Sequence, residues 1–334
     1  MKSILFASIL ATWFAGSTVL AEEITTDENL IADAYAKPDN LVKLADGRAM
    51  NLRCSGEGEP TVILEAGGNT ESSTWYRAQP QIARLTRVCS YDRAGYGFSD
   101  EGSLPRDLAA AVADLHALMK QADIAAPVVL VGHSLGSNIV RRYAQLHPDE
   151  VAGIVLVDPP EQGADGKMPQ DWQQEITEQV AHREKILALC EEAAAAGNRA
   201  VLQERCLRAP PPWMGDVVAK AMADNKAKPA YWRTLRAELA HNETLFSAPV
   251  PEDETYGAIP LVLLRAGEQN EDVPPEVRKV IEEARSLTHK RILVGSSRSK
   301  SVEVTNTSHD IQLDRPDTIA AAIKEMLESL KSEP

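Results

Sequence analysis

The sequence predicts an α/β fold in which a mostly parallel β-sheet is covered by helices on both faces. Short apolar runs of strand length recur along the chain, and stretches with helical periodicity separate them. The apolar runs are continuous, which is typical of strands buried on both faces of a parallel sheet. In chain order the predicted strands are TVILEAGG, TRVCSYD, VVLVG, GIVLVDPP, IPLVLLRAG and KSVEVTN, and the predicted helices cover residues 75–85, 108–122, 137–146, 275–287 and 316–330.

The order of these patterns predicts one sheet that is interrupted by a helical insertion. Residues 22–40 are a polar lead-in, and LVKLADGRAMNLRC alternates around Asp46-Gly47, which indicates a β-hairpin. Strand patterns then stop after Pro159 and return only at IPLVLLRAG. We therefore predict a core of residues 41–159 and 259–334, with residues 160–258 inserted as helices.

Composition and charge narrow the range of partners. The 334 residues are 44% hydrophobic and 25% charged, as in globular proteins. The formal net charge of -14 opposes nucleic-acid phosphates and anionic membrane headgroups. A small-molecule substrate therefore fits better than a nucleic acid or a membrane surface.

The first 21 residues have the pattern of a secretory signal peptide. Lys2 precedes an apolar stretch, and Val19-Leu20-Ala21 supplies the cleavage site. We expect export to the periplasm or beyond, removal of residues 1–21 and no stable membrane insertion afterwards. The alternative is an uncleaved anchor, although several serine, threonine and glycine residues dilute the apolar stretch.

Four cysteines become informative in an exported chain, because disulfides persist in oxidising compartments. Three pairings are formally possible. Cys190 and Cys206 flank the helix break at Gly197-Asn198, so an antiparallel helix pair would bring them together. The alternative is two buried thiols that pack as small apolar groups. No C-x-x-C spacing is present, so a zinc site is not expected.

A serine lies between two glycines where a predicted strand gives way to a helix, in Gly132-His133-Ser134-Leu135-Gly136. The pattern G-x-S-x-G in this context is that of a nucleophile elbow, in which a sharp turn lifts the serine hydroxyl clear of the sheet. The N-terminus of the following helix would face any oxyanion formed beside the serine. Ser134 is therefore the candidate nucleophile.

A serine nucleophile needs a base, and His309 is the best of the seven histidines. It follows the last predicted strand and precedes the last helix, which places it at the carboxyl end of the sheet. The other histidines lie within helical patterns, beside helix ends or inside the elbow itself.

These motifs resemble the α/β-hydrolase superfamily, specifically the α/β-hydrolase-1 type of esterases. The resemblance covers about residues 41–332, with residues 160–258 in the place of the family's variable cap. Because the candidate nucleophile is a serine, the resemblance excludes the family's dehalogenases and epoxide hydrolases, which use an aspartate there. The motifs that carry it are GHSLG (132–136), YDRAGYGFSD (91–100), LVDPP (156–160) and SHDIQLDRP (308–316).

The resemblance leaves two positions for the acid of a catalytic triad. The commoner position, after LVLLRAG, holds Asn270, and an amide cannot carry the required charge. Asp272 or Glu271 would serve if that loop is shifted. The other position that the family uses is the end of the preceding core strand, where Asp158 lies. We prefer Asp158 to Asp272.

The resemblance also implies an oxyanion hole and a set of disulfides. The N–H of Leu135 would act with that of Gly68 or Asn69, although Ala66 replaces the histidine that often precedes the first glycine. Asp92 and Arg93 would brace the neighbouring loop. In this fold the strands that carry Cys54 and Cys89 are neighbours, so we expect bridges Cys54–Cys89 and Cys190–Cys206.

The expected function is an exported serine hydrolase that cleaves a carboxylic ester or a related acyl bond without a metal or an organic cofactor. Two alternatives stay open. One is a proline-releasing aminopeptidase or amidase with the same triad, although AGGNTE lacks the family's HGGPG. The other is a binding protein that kept the fold and lost the reaction, which Asn270 and Ala66 would allow.

Overall fold

The computed structural model of the protein describes residues 30–267 and 273–332. The predicted signal peptide lies outside the described residues, and so do Asn270, Glu271 and Asp272. No helix in the described part of the chain combines the length and the apolar character needed to cross a bilayer.

Eight strands form one sheet in the order β1-β2-β4-β3-β5-β6-β7-β8. The hairpin strands β1 and β2 pair antiparallel, β2 also pairs antiparallel with β4, and every other neighbouring pair is parallel. The mostly parallel sheet that the sequence predicts is therefore confirmed. The strands are β1 (Asn40–Lys43), β2 (Ala49–Ser55), β3 (Val62–Glu65), β4 (Val88–Tyr91), β5 (Val128–His133), β6 (Val151–Val157), β7 (Leu261–Ala266) and β8 (Ser299–Val304).

Helices occupy most of the remaining described residues. The α-helices are α1 (Gln79–Ile82), α2 (Leu108–Gln121), α3 (Leu135–Leu146), α4 (Gln170–Ala195), α5 (Arg199–Val201), α6 (Gly215–Lys226), α7 (Pro229–Ser247), α8 (Pro275–Val294), α9 (Ile311–Asp314) and α10 (Pro316–Lys331). Short 3₁₀ turns cover Asp33–Ala36, Ser72–Trp75, Pro148–Glu150, Asp165–Lys167 and Pro212–Met214, and a π-helical turn covers Leu202–Cys206.

The helix predicted over residues 75–85 is wrong in its bounds. The structure has a 3₁₀ turn at Ser72–Trp75 and then the short helix α1. Pro80 explains the break, because it lacks an N–H and its ring clashes with the preceding turn of a helix. A proline is tolerated at the start of α1 but not in the middle of a helix that runs from Trp75.

Apolar side chains cover both faces of the sheet, as the continuous strand patterns require. On one face β5 and β6 pack against α2 and α3 through residues such as Leu115 and Ile139. On the other face the same strands pack against α1 and α10 through residues such as Ile82 and Ile323. Complete burial of a side chain of this size contributes roughly 1.5–3 kcal/mol. The two layers fix the sheet and therefore the edge at which its parallel strands end.

The chain between β6 and β7 forms helices α4 to α7 and contains no strand within its described residues. The structure contains both predicted disulfides. Cys54–Cys89 joins the paired strands β2 and β4, and Cys190–Cys206 joins α4 to the π-helical turn. The second bridge therefore closes a long helix onto a short turn instead of onto a second long helix.

The lead-in packs against this helical segment. Ile31 lies in an apolar cluster with Val218 and Met222 of α6, and its N–H donates to the carbonyl of Trp213. The part of residues 22–40 that the structure describes is therefore attached to helix α6 as well as to the sheet.

Candidate active site

Ser134 occupies a strained turn between β5 and α3. Its backbone has φ 50° and ψ −123°, a conformation that costs a residue with a side chain of order 1–3 kcal/mol. The flanking glycines make the turn possible. A Cβ on Gly132 would lie 2.4 Å from the carbonyl oxygen of Gly136, and a Cβ on Gly136 would lie 2.6 Å from that of Glu65. No other residue type fits either position.

His309 reaches the same edge of the sheet from the loop after β8. Its backbone carbonyl lies 3.0 Å from Nε2 of His133, and the two imidazole rings are 4.8 Å apart. Since Ser134 directly follows His133, the serine and His309 lie at one place in the fold. Nε2 of His309 is buried and has no hydrogen-bond partner among the described residues.

Asp158 immediately follows β6 and contacts His309 directly. Its Oδ2 lies 2.6 Å from Nδ1 of His309, which donates when that nitrogen carries the proton. Its other carboxylate oxygen accepts from the N–H of Ala266 at 2.9 Å and from Arg285 at 2.5 Å. Asp158 is 2% exposed and adopts a positive φ of 46°. The turn after β6 therefore points its carboxylate at the histidine.

Arg285 is a functional candidate that sequence reasoning missed. It lies on α8 and is 5% exposed. Besides Asp158 it donates to the carbonyls of Ala266 and Gly267, so it ties the end of β7 to Asp158. The available signal was an arginine on the apolar face of a helix, between Ile281 and Thr288, which are also buried.

The surroundings shift the pKa values of Asp158, His309 and His133 in different directions. Burial raises the pKa of Asp158, but the hydrogen bond and charge of His309, the charge of Arg285 and the Ala266 N–H together hold it well below its usual range. Burial lowers the pKa of His309, but Asp158 outweighs burial and raises the pKa above 6.5. Burial and the positive charge on His309 lower the pKa of His133. Asp158 is therefore ionised, and His133 is neutral, at neutral pH.

The loop after β3 lies against the start of α3. A Cβ on Gly68 would be 3.6 Å from a methyl carbon of Leu135, so the two backbones are neighbours. The N–H of Asn69 already donates to Glu238 at 3.1 Å. Neither the N–H of Gly68 nor that of Leu135 donates a hydrogen bond within the described residues. Of the two candidates from the sequence, Gly68 is the one with a free donor.

Arg93 holds this loop in place. Its guanidinium donates to the carbonyls of Ala66 and Gly67 at 2.7 Å and pairs with Glu65 and with Glu238 of α7. Burial opposes its charge, but the two carboxylates outweigh burial and raise its pKa above the ordinary value. The bracing contact expected of Arg93 is thus present, and Glu238 is a second partner that the sequence did not indicate.

A model of the alpha/beta hydrolase family matches residues 62–322 of this chain. The chain belongs to the alpha/beta hydrolase family. This alpha/beta hydrolase is 25% identical over 267 residues to the uncharacterized protein YqjL of Bacillus subtilis (strain 168), covering 79% of this chain and 81% of that protein. It is 34% identical over 104 residues to an uncharacterized vacuolar membrane protein of Saccharomyces cerevisiae (strain YJM789), but spans only 16% of that protein.

Solved structures of hydrolases share the fold at low sequence identity. A putative epoxide hydrolase from Pseudomonas aeruginosa superposes with a TM-score of 0.57 at 18% identity, over 85% of this chain and 93% of that one. A serine hydrolase involved in carbazole degradation superposes with a TM-score of 0.58 at 17% identity, over 87% and 98%. An enzyme that degrades N-acyl homoserine lactones superposes with a TM-score of 0.53 at 17% identity, over 85% and 97%.

A cavity of about 590 Å³ lies between the loop after β3 and the helical segment of this alpha/beta hydrolase. Gly68 and Asn69 line it from the loop, and Met222, Tyr231 and Trp232 line it from the helices. The other two tryptophans of the segment pack elsewhere. Trp172 packs against the first turns of α8, and Trp213 stacks on Tyr76 with ring centroids 5.0 Å apart. Of the three, only Trp232 contributes to the cavity.

Proposed function

We propose that this alpha/beta hydrolase is a serine hydrolase that cleaves a carboxylic ester or a related acyl bond through an acyl-enzyme on Ser134. The observation that carries the proposal is the contact between His309 and Asp158 beside the strained serine. Asp158 holds Nδ1 of His309 at 2.6 Å, which leaves Nε2 as the nitrogen that accepts a proton. Hydrogen bonds between nucleophile and base are often long before substrate binds, so the unpaired Nε2 is compatible with this role.

In the proposed reaction Oγ of Ser134 attacks the ester carbonyl while Nε2 of His309 takes the hydroxyl proton. The N–H groups of Leu135 and Gly68 stabilise the negative oxygen of the tetrahedral intermediate. That intermediate breaks the bond to the leaving alcohol, which receives the proton from His309. A water molecule, deprotonated by His309, then attacks the acyl carbon. The bond from that carbon to Oγ of Ser134 breaks as His309 returns the proton to Oγ, which releases the acid and regenerates the serine. Every step uses protein groups and water.

The structure supports Asp158 as the acid of the triad in this proposal. A buried carboxylate that stays ionised stabilises the imidazolium that forms when His309 takes the proton. Arg285 and the Ala266 N–H satisfy the other carboxylate oxygen, which fixes its orientation. In this proposal Asp158 alone orients His309, and Asp272 has no role in the triad.

Residues 160–258 are proposed to act as a cap over a core of residues 41–159 and 259–334. Helices α6 and α7 close one side of the cavity beside Gly68. Met222 and Trp232 suit an apolar acyl or aromatic group there, and the basic Arg208 and Lys226 line the same space. Glu238 on α7 already binds Arg93, Tyr96 and the Asn69 N–H, so its charge is not available to hold a substrate ammonium. This favours the ester over the aminopeptidase alternative.

Export of the protein is part of the proposal. The signal-peptide pattern of residues 1–21 motivates it, and the bridges Cys54–Cys89 and Cys190–Cys206 suit an oxidising compartment. The mature protein would then work in the periplasm or outside the cell.

A hydrolysis panel tests the proposed function. Purified protein is assayed against activated esters of increasing acyl length, aromatic esters, lactones that include an N-acyl homoserine lactone, thioesters and proline amides. We expect turnover of at least one ester or lactone and none of the amides. Hydrolysis of proline amides alone would favour the aminopeptidase, and a panel without any turnover would favour the binding protein.

The acidic limb of the pH profile should lie above the ordinary pKa of histidine. Only neutral His309 accepts the serine proton, so kcat/KM rises with pH as His309 loses its proton. Because Asp158 raises the pKa of His309, the midpoint of this rise should exceed 6.5. Steady-state kinetics on an activated ester from about pH 5 to about pH 9 measures it. A midpoint below 6.5 contradicts the assignment, provided that enzyme incubated at each pH regains full activity at neutral pH.

Replacing Glu238 with glutamine should slow the reaction by displacing the loop after β3 that carries Gly68. Glutamine keeps the size of the side chain but removes the charge that binds Arg93 and weakens the acceptor for the Asn69 N–H. A shift of about 1 Å in a positioned group costs on the order of 100-fold, so we expect kcat to fall roughly 10- to 100-fold with a smaller change in KM.

Glu243→Gln is the matched control for this variant. Glu243 lies on the same helix and also pairs with an arginine, Arg183, but this pair is remote from the loop after β3. Steady-state kinetics should leave this control within a factor of about two of wild type. Equal losses in the two variants would show that α7 is merely destabilised, and the positioning role of Glu238 would be abandoned.

A further inference from the structure

Two histidines and a glutamate converge at the end of α3 that is opposite to Ser134. His116 lies on α2, His147 directly follows α3, and Glu150 ends the 3₁₀ turn that leads into β6. Their ligand atoms all lie within 4.8 Å of one another. Ser134 and His147 flank the twelve-residue helix α3, which separates them by about 18 Å. The group is therefore distinct from the proposed active site.

The three side chains already approach the spacing of metal ligands. Nε2 of His116 is 3.2 Å from Oε1 of Glu150. Ligand atoms around a tetrahedral zinc ion with bonds of about 2.0–2.1 Å are about 3.3 Å apart. The rings of His116 and His147 are stacked, with centroids 4.2 Å apart and planes 14° from parallel. The half-buried His147 offers a ring nitrogen within 4.8 Å of the other two ligand atoms, so it has to move closer to them when a metal ion binds.

The surroundings orient these side chains as partners of metal ligands commonly do. The hydroxyl of Tyr143 donates to Oε2 of Glu150 at 2.5 Å, which leaves Oε1 directed towards His116. Hydrogen bonds of this kind hold the carboxylates that bind metals. The N–H of Glu150 donates to the carbonyl of His147 at 3.0 Å, so the turn that begins at Pro148 fixes two of the three groups relative to each other.

The charge balance of the region also admits a cation. The C-terminus of α3 carries a partial negative charge beside His147. Glu150 supplies a full negative charge, and the chain as a whole carries a net charge of -14. Lys120 is the positive side chain whose field reaches His147, and it opposes this attraction.

We propose that His116, His147 and Glu150 form a binding site for Zn²⁺ or a similar divalent transition-metal ion. Two imidazoles and one carboxylate are ligands that zinc accepts, and a water molecule would complete the tetrahedron. Such an ion links α2 to the turn between α3 and β6, and so it stabilises the fold instead of taking part in the hydrolysis. This proposal departs from the sequence-based expectation of no zinc site, which was argued from cysteine spacing and did not consider these three residues.

Zinc titration of the tag-free full chain, stripped with a chelator, tests the proposal. Isothermal titration calorimetry should find one zinc site, and excess zinc should raise the unfolding temperature because the ion binds the folded state. His147→Ala and Glu150→Gln should each weaken zinc binding by more than about 100-fold, and Tyr143→Phe by about 10- to 100-fold. His182→Ala, which removes an exposed histidine of α4, should bind zinc as wild type does.

The zinc-binding measurements can contradict this metal site while leaving the proposed hydrolase function unaffected. Absence of zinc binding by wild type overturns the proposal, and so does unchanged binding by His147→Ala, which would place the metal elsewhere. The unfolding temperature and ester turnover of each variant, measured without zinc, show whether it is folded. The visible absorption of bound Co²⁺ should report a four-coordinate site in wild type and be lost in Glu150→Gln.

Discussion

Ser134→Ala should abolish turnover of the ester that wild type hydrolyses best, with a fall in kcat on the order of 10⁶-fold, the loss seen when a serine nucleophile is removed from a hydrolase of this mechanism. The variant keeps the N–H groups of Leu135 and Gly68 and the cavity, so we expect a residual rate above that of water. KM should change little, because the hydroxyl is not the group that holds the substrate. Initial-rate kinetics at high concentrations of the variant, purified free of wild-type enzyme, measures the loss.

The turn itself makes this substitution informative. Alanine accepts the positive φ at residue 134 no worse than serine does, and the described residues give the Ser134 side chain no hydrogen bond on which folding depends. Ser247→Ala, an exposed serine at the end of α7, is the matched control and should keep full activity. Retention of more than about one hundredth of wild-type kcat by a folded Ser134→Ala protein would rule out the acyl-enzyme mechanism.

Asp158→Asn should lower kcat by about 10⁴-fold, the second largest effect that the structure implies. An amide at this position presents an N–H where His309 needs an acceptor, so the imidazole turns to the wrong tautomer. It also removes the charge that raises the pKa of His309 and stabilises the imidazolium. Comparison of kcat on one activated ester measures the loss.

Asp272→Asn separates the two candidate acids. If Asp158 is the acid, Asp272→Asn should change kcat by less than about threefold, as substitutions outside the catalytic groups do. A larger loss in Asp272→Asn than in Asp158→Asn contradicts the assignment. Thermal unfolding of both variants is needed beside the kinetics, because Asp158→Asn also leaves the buried charge of Arg285 without its partner.

The residues around Ser134 show which parts of the site a sequence can specify. The glycine positions, the strand before the serine and the helix after it are local, so GHSLG alone indicates the strained turn that the structure contains. Asp158 was placed at the end of a core strand by resemblance, and the structure puts it against His309. The turn at Ser134 and the position of Asp158 could be predicted because each depends on a short segment and on the strand order that the fold family shares.

The sequence alone could not predict contacts between segments that are distant along the chain. Arg285 meets Asp158 across 127 positions, and Glu238 meets the N–H of Asn69 across 169. The position of Arg285 on the apolar face of α8 indicates that it is buried, but no local pattern in α7 or α8 identifies the partner of either side chain. The sequence did not reveal the group of His116, His147 and Glu150 for the same reason. Helices α2 and α3 bring these residues together only in the folded protein.

The central claim is that Ser134 is a nucleophile activated by His309, and the mass of a covalent adduct tests it most directly. Protein treated with a fluorophosphonate should gain one phosphonyl group, and peptide mapping should place it on the peptide that contains Ser134. His309→Gln should react far more slowly, and Ser134→Ala should not react. An unmodified wild-type protein, or an adduct on any other residue, would contradict the account.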